Sequence, residues 1–157
     1  MALEIERKFL VDGDFENLAK KKLKITQGYL SLDEERIIRI RIQDKQAFLT
    51  IKGKSNASGL TRSEWEKEID VQEAKGLLKL AIGNLIEKMR FHIPFENHLF
   101  EVDVFLGENA GLVLAEIELN SENEHFTKPD WLGEEVSGDV KYYNSNLVQN
   151  PFSQWEK

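Results

Sequence analysis

Hydrophobic and polar residues alternate along most of the chain, which is typical of β-strands with one apolar and one polar face. In residues 3–11, Glu4, Glu6 and Lys8 share one face, and mainly apolar side chains occupy the other. Residues 36–43 show the alternation again, with isoleucines opposite Arg39 and Arg41. The pattern predicts eight strands, at residues 3–11, 24–31, 36–43, 47–52, 60–71, 85–94, 99–106 and 112–120.

The segments between and after these strands predict a few helices. Asp14 can cap a short helix that runs to about Lys22, and residues 72–81 carry apolar side chains at helical spacing. Residues 129–133 predict a turn or short helix, and residues 141–148 a last helix. Strands joined by hairpins and short helices favour an α+β protein, mainly antiparallel β, built as a barrel or sandwich with helices packed outside.

The polar faces of the strands are sorted by the sign of their charge. If the sheet closes with its apolar face outward under the helices, the charged face lines the interior. Because each unpaired buried ion costs several kcal/mol, we expect that interior to be wet and to hold a ligand of opposite charge. The cations are Lys8, Arg39, Arg41, Lys52, Lys88 and Arg90, and the anions are Glu4, Glu6, Glu64, Glu66, Glu68, Glu101, Asp103, Glu116 and Glu118.

The residue types in this interior indicate a metal-bound polyphosphate. Arginine and lysine on several strands suit a row of phosphate groups, and clustered carboxylates suit Mg²⁺ or Mn²⁺. The chemistry that fits is phosphoryl transfer, which needs positioning and charge neutralisation and no covalent nucleophile. The alternative is a set of solvated strand faces with surface salt bridges.

Composition narrows the function classes. A chain of 157 residues predicts a single domain over 1–157, and its net charge of -7 argues against a nucleic-acid partner. It has no cysteine, which excludes disulfides and thiolate metal sites, and His92, His98 and His125 lack metal-ligand spacing. No apolar run is long enough for a membrane helix and no signal peptide is evident, so we expect no membrane partner and a cytoplasmic location.

A set of short motifs resembles the CYTH or triphosphate tunnel metalloenzyme superfamily, and its short bacterial members in particular. Residues 4–8 match the ExExK signature of that superfamily. The other matching motifs occur in the same order and at similar spacing, at residues 27–31, 38–41, 49–53, 101–105, 115–119 and 131–133.

The resemblance implies an eight-stranded closed antiparallel tunnel that binds triphosphates with a divalent metal. It implies metal ligands at Glu4, Glu6, Glu116 and Glu118, with a further carboxylate at Glu64 or Glu66. Tyr29 with Lys8 resembles a pair thought to assist catalysis in some short members, although a structural tyrosine is an equal alternative. The phosphate-binding residues it implies are Lys8, Arg39, Arg41, Lys52, Lys88 and Arg90.

The superfamily includes several activities. The short length and the motif match favour an inorganic tripolyphosphatase that converts tripolyphosphate into pyrophosphate and phosphate. The alternatives are a class IV-type adenylate cyclase, a thiamine or nucleoside triphosphatase, and a non-catalytic polyphosphate- or nucleotide-binding module. The oligomeric state is left open, with a homodimer as one option.

Overall fold

A single antiparallel sheet that closes on itself contains all the strands of the computed structural model, which describes residues 1–156. The predicted domain boundary at residue 157 lies outside that range. The strands are β1 (Ala2–Val11), β2 (Lys21–Ser31), β3 (Ile37–Gln43), β4 (Gln46–Lys52), β5 (Thr61–Ile69), β6 (Ile86–Phe95), β7 (His98–Phe105), β8 (Val113–Glu118) and β9 (Leu132–Glu135).

Strand β1 closes the barrel. Residues 6–10 of β1 pair with β8, and residues 2–5 pair with β5 at the other end of the strand order. This circle of eight antiparallel strands confirms the predicted closed barrel. The ninth strand, β9, was not predicted. Of the turn or short helix expected at residues 129–133, a turn forms at residues 130–131, and β9 then begins at Leu132. In β9, Glu135 pairs with Phe9, and Leu132 with Val11. β9 pairs with the end of β1 that β5 does not reach, and so satisfies backbone groups there.

The helices are shorter than their patterns predict. Asp70 caps α1 (Val71–Leu78) by accepting hydrogen bonds from the next amides, and α1 packs on β3 and β4. The predicted helix over residues 14–22 is wrong, since only the 3-10 turn Glu16–Leu18 forms and β2 already begins at Lys21. Leu23 and Ile25 alternate with lysines there, and pairing with β6 makes this segment a strand.

The last predicted helix is broken into two short pieces. A 3-10 turn spans Val140–Tyr142, and α2 spans only Asn144–Leu147. Further 3-10 turns occur at Gly107–Asn109 and Phe152–Gln154. None of the helices within residues 1–156 is long and apolar enough to cross a membrane.

Apolar clusters lie outside the barrel and also fill one end of its interior. Outside, α1 buries Ala74 against Ile40 and Ala47. Inside, Leu114 shares its strand face with Glu116, because residues two apart point the same way. Leu114 belongs to a cluster that we call the floor, made of Tyr29, Ile37, Ile86, Phe105, Leu112, Leu114, Val136, Leu147 and Val148. The interior is therefore charged above an apolar floor to which α2 contributes.

Candidate active site

A cavity of about 250 Å³ lies inside the barrel, and Tyr29 and Ile37 of the floor form part of its wall. All eight strands of the closed circle contribute to its lining. The structure thus brings together every side chain that the sequence predicts for the site. These are Glu4, Glu6, Lys8, Tyr29, Arg39, Arg41, Lys52, Glu64, Glu66, Lys88, Arg90, Glu116 and Glu118.

Two carboxyl groups from β1 and β5 share one lysine at one side of the cavity. Lys52 Nζ lies 2.9 Å from Glu4 Oε2 and 3.6 Å from Glu64 Oε2. Burial raises the pKa of Glu4, but the charges of Lys52 and Arg62 and the hydrogen bonds with Lys52 and Glu64 together lower it to about 2. Burial and the neighbouring Glu4 raise the pKa of Glu64 to about 7. Glu4 is therefore ionised at neutral pH, whereas Glu64 partly retains its proton.

A second group of carboxylates forms where β1, β7 and β8 are paired. Glu6 lies directly opposite Glu118, and Glu101 opposite Glu116, so like charges face each other across the strands. Burial and the charge of Glu116 raise the pKa of Glu6 well above its ordinary value. Burial also raises the pKa of Glu116, but Lys8 and a hydrogen bond with Glu6 lower it well below its ordinary value. A proton shared between Glu6 and Glu116 relieves the repulsion.

The carboxylates fit a divalent metal by their chemistry, although they are not gathered around one point. Among residues 1–156, no three histidine or acidic side chains converge closely enough to hold an ion as they stand. They meet instead as pairs, Glu4 with Glu64 and Glu6 with Glu116, joined by hydrogen bonds between carboxyl groups. Oxygen-only donors are what hard divalent cations prefer, and a cation can replace the shared protons.

A buried acidic residue holds two of the predicted phosphate-binding cations. Asp103 accepts two hydrogen bonds from Arg90, at 2.8 and 2.9 Å, and lies 2.8 Å from Lys88 Nζ. Burial lowers the pKa of Lys88 to about 8 despite Asp103. Burial also lowers the pKa of Arg90, but the charge and hydrogen bonds of Asp103, together with the charges of Glu101 and Glu116, raise it above its ordinary value. Asp103 was predicted among the anions of the barrel interior but was given no role at the site. Its register opposite Arg90 in the β6–β7 hairpin is the signal that could have assigned it to that arginine.

Two arginines of β3 keep unused hydrogen-bond donors. Arg39 donates to Thr50 Oγ1 at 3.2 Å and Arg41 to Glu66 Oε1 at 3.1 Å. The Nε atoms of both arginines are buried and have no partner among the described residues. Burial, together with the charge of Arg39, lowers the pKa of Arg41 to about 10, so Arg41 remains a cation at neutral pH. These unused N–H donors can bind an anionic ligand.

The segment before and within α2 completes the cavity wall, and its residues were not predicted from the sequence to line the cavity. Lys8 Nζ donates to the Tyr142 carbonyl at 3.2 Å and lies 5.5 Å from the centre of the Tyr143 ring. Asn144 Oδ1 accepts from Lys88 Nζ at 2.7 Å. No motif marks these residues in the sequence. Arg62 was also missed, although its place on the charged face of β5, 3.5 Å from Glu4, could have been inferred.

Family comparison decides the classification. A sequence model of the CYTH domain matches residues 2–148. The chain belongs to the CYTH family. The resemblance expected from the sequence motifs is thereby confirmed, and the closed barrel is the fold seen in solved CYTH structures.

Relatives of this CYTH protein match it over nearly its whole length. An inorganic triphosphatase of Acetivibrio thermocellus is 48% identical over 159 residues, which cover 100% of both chains. An inorganic triphosphatase of Nitrosomonas europaea is 39% identical over 150 residues, covering 92% of this chain and 96% of the relative. The crystal structure of an inorganic triphosphatase superposes with a TM-score of 0.66 at 35% identity, covering 92% of this chain and 96% of the other. The roles of individual residues stay predictions.

Proposed function

We propose that this CYTH protein hydrolyses inorganic tripolyphosphate to pyrophosphate and phosphate, with Mg²⁺ or Mn²⁺ as its cofactor. One observation carries the proposal: a single cavity contains both guanidinium groups with unused donors and a cluster of carboxyl groups from β1, β5 and β8. The first feature suits phosphate oxygens and the second suits a divalent cation. The full-length similarity to inorganic triphosphatases supports the same substrate.

The cations of the cavity would bind and orient the phosphate groups. Arg39 and Arg41 lie next to each other on one face of β3, so their planar guanidinium groups can bind neighbouring phosphate oxygens. Lys88 and Arg90 lie on β6, which is next to β2 on the side away from β3. Cations on both sides would hold the chain of phosphates in one orientation and stabilise charge that develops in the transition state.

The metal ligands we propose are Glu4, Glu6, Glu64, Glu116 and Glu118. A bound divalent cation supplies neutralisation of phosphate charge and lowers the pKa of a water nucleophile. Of the two candidates on β5, Glu64 is the better ligand because its carboxyl group adjoins Glu4. Glu66 instead lies against Arg41, 3.1 Å from its guanidinium, and we assign it to positioning that arginine.

Lys8 and Tyr29 would act on the substrate directly. Lys8 Nζ lies 3.9 Å from Glu116 and is nearly buried, so its charge is close to the carboxylates and to any phosphate bound beside them. Burial raises the pKa of Tyr29, which therefore keeps its hydroxyl proton at neutral pH. Within residues 1–156 no hydrogen bond joins Lys8 to Tyr29, so each would contact the substrate separately.

The cavity size favours a substrate without a bulky organic group. Its volume of about 250 Å³ lies just below the range of roughly 300–1,000 Å³ that is usual for pockets holding drug-sized ligands. A compact oligophosphate needs less room than a nucleotide or thiamine triphosphate. The cytoplasmic location and the homodimer stay predictions.

The proposal is tested by measuring phosphate release from tripolyphosphate, ATP and thiamine triphosphate in parallel, each with Mg²⁺, Mn²⁺ or EDTA. We expect release from tripolyphosphate that depends on metal, with much slower release from the other two. Cyclic AMP formed from ATP would identify a cyclase instead, and tight metal-dependent binding without any product would identify a binding module. Either of these results would contradict the proposal.

A matched pair of variants tests the site. Glu116→Gln removes one carboxylate from the cavity and should reduce turnover by at least about 100-fold while the protein remains folded. Glu68→Gln is the control, because Glu68 is exposed on β5 and does not line the cavity. Full activity in Glu116→Gln would refute the site.

A further inference from the structure

A buried chain of hydrogen bonds leads from Lys88 to Tyr29 through two amide side chains. Asn144 Oδ1 accepts from Lys88 Nζ at 2.7 Å and from Gln27 Nε2 at 2.9 Å. The same Gln27 Nε2 donates to Tyr29 Oη at 3.2 Å. Gln27 is fully buried and does not line the cavity, whereas Tyr29 and Asn144 do. The two amides therefore connect a phosphate-binding lysine with a predicted catalytic tyrosine.

Lysine chemistry fixes the direction of every bond in this chain. A charged ammonium group can only donate, so the Asn144 atom that faces Lys88 must be the carbonyl oxygen. The Gln27 atom that faces the same oxygen must then be the amide nitrogen. That nitrogen is also the atom 3.2 Å from Tyr29, so the Tyr29 hydroxyl oxygen accepts from Gln27.

The Tyr29 hydroxyl keeps its own hydrogen available for donation. Its oxygen accepts from Gln27 Nε2 at 3.2 Å, so the hydroxyl hydrogen must point to a different partner. A hydroxyl oxygen accepts along two lone pairs and donates one hydrogen. Gln27 occupies one lone pair of the Tyr29 oxygen, and among the described residues no side chain accepts the hydroxyl hydrogen. The cavity that Tyr29 lines is where an acceptor would lie.

The orientation of the Gln27 amide costs free energy, because it leaves one buried atom without a hydrogen-bond partner. Gln27 Oε1 is buried and has no hydrogen-bond partner in the part of the chain that the structure describes. An unsatisfied buried acceptor costs about 1–3 kcal/mol, so an orientation that leaves one is retained only if another contact requires it. A flipped amide would place Gln27 Oε1 against Asn144 Oδ1, with two acceptors facing each other. Asn144, oriented by Lys88, therefore determines the orientation of Gln27.

We propose that Asn144 and Gln27 are positioning residues that hold the Tyr29 hydroxyl as a hydrogen-bond donor to a phosphate oxygen of the bound substrate. The identity of the substrate rests on the proposed function, whereas the direction of the Tyr29 hydrogen bond rests on the geometry alone. α2, which supplies Asn144, thus contributes to the reaction as well as to the floor.

The first test needs no catalytic activity. The chain has 3 tyrosines, so ring-labelled [¹³Cζ]tyrosine gives a simple NMR spectrum in which Tyr29→Phe identifies the Tyr29 signal. We expect Gln27→Met and Asn144→Ala each to shift that signal in the protein without ligand. Asn144→Asp keeps an oxygen acceptor, and Asn146→Ala alters a neighbouring residue of α2, so both should leave the signal close to its original position. A Tyr29 signal that does not move in Gln27→Met or Asn144→Ala would overturn the proposal.

The second test is a double-mutant cycle on tripolyphosphate turnover. We expect Gln27→Met to lower kcat about tenfold with little change in KM, because it loosens one donor to the transition state. In the Tyr29→Phe background the same substitution should have no further effect. An equal loss in both backgrounds would overturn the proposal, since it would show a general structural effect. If the parent protein releases no phosphate, the proposed function fails, and the NMR result alone decides the positioning role.

Discussion

Replacing Asp103 by asparagine should destabilise the protein strongly, because Asp103 is the buried counter-charge of two cations. Its side chain is 1% exposed and contacts both Arg90 and Lys88 at 2.8 Å. Asparagine has nearly the same shape, but it would take from Lys88 its carboxylate partner and leave Arg90 only its longer contacts with Glu101 and Glu116, at 3.4 and 3.2 Å. Removing one member of a buried ion pair costs about 3–5 kcal/mol. That is a large share of the total stability of about 5–15 kcal/mol that is typical of folded proteins.

The loss can be measured by urea denaturation and by thermal unfolding in EDTA. A cost of that size corresponds to a fall in Tm of roughly 6–20 °C for a chain of this length. Asp130→Asn is the matched control, because Asp130 is exposed. This variant should unfold like the parent protein. A free energy of unfolding for Asp103→Asn within about 1 kcal/mol of the parent would refute the argument that Asp103 compensates these cations.

Ligand addition makes the same experiment more specific. Once residue 103 is neutral, Lys88 has lost its carboxylate partner and Arg90 its shortest ion pair, so an anion can compensate their charge. Tripolyphosphate in EDTA should therefore raise the Tm of Asp103→Asn by more than it raises the Tm of the parent protein. An equal or smaller rise would show that these two cations do not face the bound phosphates.

Three further predictions follow from other contacts. Glu64→Gln should weaken Mn²⁺ binding, measured by titration calorimetry, by at least about tenfold, whereas Glu66→Gln should change it little. A larger loss of Mn²⁺ affinity in Glu66→Gln than in Glu64→Gln would contradict the assignment of Glu64 as the ligand. The free energy of unfolding should rise with pH above about 8, because the pKa of Lys88 is lowered by burial to about 8 and the unfolded chain then binds more protons. Urea melts at several pH values should show this rise, and Lys88→Met should remove it; a rise that persists in that variant would contradict the assignment. Gly59→Ala should lower Tm, because φ is +78° at Gly59 and an added Cβ would lie 2.7 Å from Gly138 Cα. An unchanged melting curve would contradict that close contact.

The alternation of residues was sufficient to predict which side chains share the barrel interior. Side chains two residues apart on a strand point the same way, so Glu4, Glu6 and Lys8 had to share one face once β1 formed. Isoleucines on the opposite face of β3 required burial under α1, which placed Arg39 and Arg41 inside. The alternation could therefore predict an antiparallel barrel or sandwich and most of the charged cavity residues, whereas the closed tunnel was implied by the family resemblance.

Contacts between segments distant in sequence could not be predicted in this way. Asn144 meets Lys88 across 56 positions, and nothing in a short polar helix indicates that partner. β9 has only four residues, Leu132–Glu135, without the alternation that marks the other strands. Its pairing depends on the end of β1 being left open by β5. These features arise from the assembled barrel rather than from local patterns.

The most direct measurement of the central claim is ³¹P NMR of tripolyphosphate incubated with the protein and Mg²⁺. The account predicts that the tripolyphosphate signals disappear while phosphate and pyrophosphate grow in equal amounts, and that EDTA prevents the change. Tripolyphosphate that remains intact with Mg²⁺ and with Mn²⁺, or that is converted to phosphate without accumulation of pyrophosphate, would contradict it.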